Sequence, residues 1–222
     1  MKPNSAQKKR VPWLPPLLVL LLIPAPSAAE NWRLEVLGGS AYHARTPLTI
    51  EQQGEAEIDL DAKYHTRSFE APPYYSIRLG RWKEDRAWEL EMIHVKLFLA
   101  NKPPEVENFS ISHGYNLFML NRAWEKSKWI YRIGAGVVIA HPEITVRGRR
   151  LPEERGLLDE GYDLAGPALQ AAVARRFALT EKIFASLEGK VTASYFDVPI
   201  RGGSAEGANL ALHGLFGLGY LF

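Results

Sequence analysis

Three histidines stand at the ends of apolar, alternating stretches of this 222-residue chain: His94 in "WELEMIHVKLFLA" (88–100), His113 in "ISHGYNLFMLN" (111–121) and His141 in "GVVIAHPE" (136–143). Glu91 precedes His94 by three residues, and Glu143 follows His141 by two. Imidazoles beside carboxylates suit two chemistries. They can take and return protons as general base and acid, and they can ligate a divalent ion such as Zn, Fe or Mn. His94, His113, His141 and Glu91 are therefore the candidate catalytic groups, and His113, His141 and Glu143 the candidate ligands of a divalent metal ion. The spacings match no compact metal motif of the HExxH kind, so simple hydrogen-bonded or solvated histidines stand as the alternative. The chain contains no phosphate-binding glycine loop, nucleophile elbow or dinucleotide fingerprint.

These residues need elements to position them, and the pattern is one of period two. About eight alternating segments can be read, near 31–43, 73–83, 87–100, 112–124, 129–141, 162–177, 182–195 and 208–222. An even number of antiparallel strands can close and leave no unpaired backbone edge, which hydrocarbon would penalise by several kcal/mol per group. The expected fold is all-β: an eight-stranded antiparallel transmembrane β-barrel. "KEDR" (83–86), "EKSK" (125–128) and "ALTE" (178–181) would be short periplasmic turns. The longer segments 44–72, 101–111, 142–161 and 196–207 would be extracellular loops. Trp82, Trp88, Trp124, Trp129 and Tyr131 flank the short turns, where an aromatic girdle would lie.

The faces follow from the alternation. Ile183, Ala185, Leu187, Val191 and Tyr195 should meet lipid, with Ser186, Glu188, Lys190, Thr192 and Ser194 inside. Leu210, Leu212, Phe216, Leu218 and Tyr220 should likewise face out, with Asn209 and His213 inside. A barrel of eight strands is filled by side chains. Its inward charges would be Glu89, Glu91 and Glu188 against Arg78, Lys96, Arg132 and Lys190. The apolar parity of 88–100 switches near Met92–His94, which predicts a one-residue β-bulge turning His94 and Lys96 inward. Asn116 and Asn121 have opposite parity, so one register cannot place both inside.

The ends of the chain add a compartment. Lys2, Lys8, Lys9 and Arg10, an apolar run to Ile23 and a Ser-Ala-Ala site ending at Ala29 read as a signal peptide over 1–29, with the barrel over 30–222. Removing four cations and no acid turns a formal charge of +2 into −2, so the basic pI does not signal nucleic-acid binding. There is no cysteine, hence no disulfide framework. "GLFGLGYLF" ends the chain in a one-faced strand with a terminal aromatic, like the closing strand of bacterial outer-membrane barrels. Export to the outer membrane of a Gram-negative envelope is expected. The expected partners are outer-membrane lipids, lipopolysaccharide and the barrel-assembly machinery, with no nucleic acid. The acidic stretch "EQQGEAEIDLDAKYHTRSFE" (51–70) reads as a solvated hairpin tip, a cation-bridged lipopolysaccharide contact or an adhesive strand extension. "RGRR" (147–150) reads as a solubilising loop or a phosphate contact.

"SFEAPPYYSIRLGRW", "SHGYNLFMLNRAW", "YRIGAGVVIAHPEITV" and "YDLAGPALQAAVARRF" together resemble the OmpA-like eight-stranded outer-membrane barrels, and among them the group that includes the lipid A oxidases of rhizobia. That resemblance spans most of the chain after residue 29. It implies oxygen-dependent oxidation of the proximal glucosamine of lipid A with a divalent cation, and it supplies no catalytic residues to carry over. Lipid A deacylase barrels carry a His-x-Ser-Asn pattern; here His113-Gly114-Tyr115-Asn116 puts Tyr115 in the serine position, so deacylation is not expected. A non-enzymatic structural or adhesion barrel is the other expectation.

Overall fold

The computed structural model describes residues 31–152, 156–157 and 161–222; the signal peptide expected over 1–29 lies outside the described residues. The strands are β1 (Asn31–His43), β2 (Thr46–Gln52), β3 (Ile58–Ala62), β4 (Tyr64–His65), β5 (Tyr75–Lys83), β6 (Arg86–Leu99), β7 (Val106–Lys126), β8 (Trp129–Ala140), β9 (Glu143–Val146), β10 (Arg149–Arg150), β11 (Asp163–Ala178), β12 (Ile183–Ile200) and β13 (Gly203–Leu221). Eight of them form a ring in the order β1–β5–β6–β7–β8–β11–β12–β13, antiparallel throughout. It closes where β13 returns to β1, from Arg33↔Leu221 to His43↔Ala211. The eight alternating segments of the sequence are these eight strands, and the chain is an eight-stranded transmembrane β-barrel with short turns at one end and long loops at the other.

The turns are tight for a local reason. Between β7 and β8, Ser127 and Lys128 both take positive φ, 51° and 69°. That is the hairpin turn whose twist matches the flanking strands.

The wall sorts residues by parity. Leu187, Leu212, Phe216 and Ile133 are each more than half exposed, while Glu188 and His213 are buried. Trp88, Trp129 and Tyr131 stand outside near the short turns, but Trp82 does not. It is 1% exposed and packs inside with Ala87, Ala123, Ile130 and Ala174, because β5 keeps its even positions inward and Trp82 follows Arg78 and Gly80.

The lumen is built in layers. Toward the short turns, Arg33 lies over the Trp82 ring at 3.8 Å and pairs with Glu125 at 3.0 Å, and Arg176 pairs with the same carboxylate. Above them Arg78, Arg132 and Lys190 meet Glu35, Glu89, Glu91 and Glu188 in one continuous network. Arg132 reaches Glu89 at 2.7 Å, Glu188 at 2.8 Å and Glu35 at 3.1 Å. Arg78 reaches Glu91 and Glu188 at 2.8 Å and Glu35 at 3.1 Å. The two layers together set five cations against five acids, so the column is charge-neutral, as a low-dielectric interior requires. Gly134 opens room for Asn121 in this layer: a Cβ there would meet the Asn121 Oδ1 at 1.9 Å.

Above the column the lumen turns apolar, which overturns the expected bulge. β6 holds one register from Arg86, as far as His94 against β5 and as far as Val95 against β7. Ile93, Val95, Leu97 and Leu99 continue the inward row begun by Glu89 and Glu91. His94 and Lys96 therefore belong to the outward row. The parity switch seen in the sequence marks a change in what fills the lumen, from charge to hydrocarbon, while the strand stays regular. Glu35, a further acid of the column, pairs with Arg78 and Arg132, while Lys96 stays out of the column and donates to the Glu70 carbonyl at 2.9 Å.

The long loops are not all irregular. β2 and β3 form a hairpin, and β2 pairs with the far end of β13. Leu48 and Ile50 of this hairpin pack with Phe196, Val198, Ile144, Val146 and Phe109 in the same apolar cluster as Val95 and Leu97. The first loop is thus a folded dome over the barrel mouth, with its acids on the outer face. Arg147 and Arg149 of "RGRR" clasp that dome, to Gln52 at 3.0 Å and Glu55 at 2.7 Å.

Candidate functional site

The structure divides the expected site in two. Glu91 lies deep in the lumen and is fully committed. It accepts from Ser76 at 2.7 Å, Arg78 at 2.8 Å, Gln170 at 2.7 Å and Asn121 at 2.9 Å, and from Lys190. It belongs to the charged column and is separated from the three histidines by the barrel wall.

The histidines gather on the other side of that wall, at the loop end of β6, β7 and β8. Tyr75, His94 and Asn116 stand opposite one another in register across β5, β6 and β7. His94 stacks on Tyr75 with ring centroids 4.9 Å apart and planes 15° apart, and its Nδ1 lies 2.9 Å from the Asn116 Oδ1. His113 and His141 sit just beyond, where the β7–β8 ladder ends at Tyr115↔Ala140. Their rings approach to 4.9 Å, and His141 meets Tyr162 edge-on at 5.0 Å. The Tyr162 hydroxyl donates to the His113 carbonyl at 3.1 Å. Glu143 lies 3.4 Å from His113 Nδ1, accepts from the Ser112 hydroxyl, and is 3.9 Å from Arg150.

A backbone irregularity creates this arrangement. Between Val95↔Tyr115 and Leu97↔Ile111, β7 runs four residues while β6 runs two. The extra residues are accommodated at Gly114, whose φ of +139° suits glycine alone, and a Cβ there would strike the Asn116 amide at 2.4 Å. The bulge pushes Ser112 and His113 outward, leaving the His113 side chain half exposed. The glycine in "SHGYN" was the visible signal. The partners Tyr75, Asn116, Ser112 and Tyr162 could be found only once the register was known.

Two chemistries can be tested against this geometry. In a hydrolase triad, the nucleophile and the carboxylate contact opposite nitrogens of the histidine. Here Ser112 Oγ, at 3.5 Å, and Glu143, at 3.4 Å, both face the same Nδ1 of His113. Tyr115, in the serine position of the deacylase pattern, points inward and bonds Ser194 at 2.8 Å. A divalent metal fits no better: among the described residues no group of three or more His, Cys, Asp or Glu is arranged to hold one. Glu143 is already held by Ser112. What the row can do is hydrogen-bond and exchange protons through the half-exposed His113 imidazole and the partly exposed Glu143 carboxylate, immediately beyond the lipid-facing Phe118, Val137 and Leu164, while His94 is buried under its partners.

No protein-family model matches the chain, and no curated protein matches it. Solved structures do. The chain is similar to outer membrane protein AlkL, with 12% identity and a TM-score of 0.51, over 90% of this chain and 95% of that one. It is also similar to outer membrane protein OprG from Pseudomonas aeruginosa, with 10% identity and a TM-score of 0.47, over 87% and 96%. Such low identities speak to fold alone. With the closed ring, the charged lower lumen and the apolar exterior, the likeness to AlkL gives the chain the fold of an eight-stranded outer-membrane β-barrel.

Proposed function

We propose that this chain is an outer-membrane barrel that engages lipid A of lipopolysaccharide on the outward face of β6–β8 and oxidises its proximal glucosamine. One observation carries the reading. His113, His141 and Glu143 stand outside the barrel, at the edge of the lipid-facing band, where the sugar of an outer-leaflet glycolipid would meet them, and the buried His94, stacked on Tyr75, lies beside them. Oxidation at the sugar's anomeric carbon needs a base to take the hydroxyl proton, and His113, held beside Glu143, is the exposed imidazole available for it. Molecular oxygen is the oxidant that the resemblance implies: it takes the C1 hydrogen with its electron pair and leaves as hydrogen peroxide, and water then opens the lactone to the acid, so the sugar gains one oxygen atom. No step is assigned to a metal, since the side chains present do not form a metal site.

A second reading has its own support. The lower lumen is filled by a neutral ion-pair column, and the Glu143 carboxylate of the rim is already held by Ser112, His113 and Arg150, as in a barrel that serves the membrane structurally or presents its dome to a partner. Mass spectrometry of lipid A from strains with and without the gene separates the two. Under the first reading a species heavier by one oxygen atom disappears with the gene and with His113→Ala, while the variant still assembles. Identical lipid A in all strains leaves the structural reading.

A further inference from the structure

The barrel wall has one weak seam, on the side of β5 away from the histidine row. β1 pairs with β5 only from Asn31 to Gly38, whereas its other edge stays paired with β13 as far as His43. Above Gly38 the neighbour of β1 is the segment running up from Tyr74 to Lys63. That segment alternates like a strand, with Tyr64, Thr66 and Ser68 buried and Lys63, His65, Arg67 and Phe69 exposed. It is laddered to β6 through Tyr64↔Leu99 and His65↔Phe98, and no ladder joins it to β1 among the described residues. One side-chain bond, Ser68 Oγ to Ser40 Oγ at 2.9 Å, closes the lower end.

A cleft of about 700 Å³ follows this seam, bounded by Ser40–His43 and Arg45 on one side and Lys63–Phe69 on the other. Its outer lip is aromatic: Tyr42 is 73% exposed and Phe69 87%. Tyr42 stands opposite Leu212, so the lip borders the lipid-facing band. Three of its lining residues carry a buried polar atom, behind the cleft surface, without a partner among the described residues: His43 Nε2, the Tyr64 hydroxyl and Thr66 Oγ1. His43 and Tyr64 face each other across the seam at 6.4 Å between rings. Both ends of the Asn209 amide face His43 Nδ1, the nitrogen at 3.0 Å and the oxygen at 3.3 Å; with the shorter contact as the bond, Asn209 donates and the ring proton sits on Nε2. All three atoms are then donors awaiting an acceptor, and a buried donor left unmade is costly. Arg45, Lys63 and Arg67 ring the opening, with Asp61 and Glu70 as the facing acids.

We propose that this seam is a lateral binding site for a single-chain amphiphile with a carboxylate head, a long-chain fatty acid. The head accepts from His43, Tyr64 and Thr66, and the chain runs out past Tyr42 and Phe69 into the outer leaflet. A carboxylate supplies two oxygens with about four acceptor sites, enough for three donors. The cationic rim favours an anion over an alcohol or amide. The volume is that of a pocket for one small ligand, roughly 300–1,000 Å³, and too small for a multi-chain lipid.

The test uses the full chain refolded into phosphatidylcholine vesicles and palmitate labelled with carbon-13 at its carboxyl. Saturable binding of one palmitate per barrel is expected, with hexadecanol failing to compete. Tyr64→Phe with Thr66→Val removes only unpartnered hydroxyls, so the variant should fold as well as the parent, shown by its unchanged mobility on unboiled gels. Its palmitate affinity should fall about tenfold or more. Hexadecyl phosphate is the arm for a phosphorylated head: binding tighter than palmitate overturns the carboxylate assignment. Unsaturable partition, or equal affinity in parent and folded double variant, overturns the site. A variant that fails to fold overturns the premise that these hydroxyls are unused.

Discussion

The charged column in the lumen and the histidine row on the outer rim use the same kinds of side chain to opposite ends. In the column, Arg78, Arg132 and Lys190 are at most 1% exposed, and each carboxylate meets several cations. The rim holds its groups loosely. His113 has a half-exposed ring and one carboxylate neighbour at 3.4 Å; His94 beside it is buried but held only by a stack and a single amide. Burial with complete pairing turns ionisable groups into scaffold, while partial exposure with few partners leaves them able to exchange protons or accept a ligand.

Substitutions can break this contrast, and the largest effect belongs to the column. Arg132→Ala would strand Glu35, Glu89 and Glu188 and should cost about 3–5 kcal/mol, read from urea unfolding of the barrel in lipid vesicles. A loss below about 1 kcal/mol would mean that water enters the lumen and screens the acids. Leu97→Ala, in the apolar layer beneath the dome, should cost about 2–5 kcal/mol in the same assay, through lost burial and a residual cavity. That result would sharpen the boundary between charged and apolar lumen. The clasp between dome and third loop is weaker: Arg149→Ala breaks a partly exposed pair and should change stability by about 0–1 kcal/mol, with protease access to residues 51–57 as the finer readout. Glu143→Gln on the rim should leave unfolding within about 0.5 kcal/mol of the parent while abolishing any oxidised lipid A species. A destabilisation as large as that of Arg132→Ala would place the rim with the scaffold and end the contrast.

Much of the fold was legible because its signal is local. The alternation in 183–195 sorts every residue to its observed face, as it does for 208–222, where each side chain meets either lipid or lumen. The failures came where alternation stops meaning polar against apolar. On β6 the two rows exchange character above Met92, the inward one turning apolar at Ile93 and the outward one polar at His94 and Lys96, so a regular strand imitated a bulge and sent His94 and Lys96 to the wrong side. The true irregularity, at Gly114 on the neighbouring strand, showed only as an isolated glycine. Trp82 looked like a girdle residue because its place in sequence fitted one; only the inward parity shared with Arg78 puts it in the lumen. The dome was missed because its hairpin is stabilised by β13 and by apolar partners from β7, β9 and β12, far away in sequence.

By itself the sequence determined the closed antiparallel ring, the two faces of most of its strands and the side chains able to carry charge. Period-two alternation and turn chemistry act over a few residues, so they can be read along the chain. Only the tertiary structure decided which charges share a network, that Glu91 and His94 lie on opposite sides of the wall, and that β1 is left unlatched above Gly38. Those facts depend on register between strands, which is fixed by the packing of the whole ring.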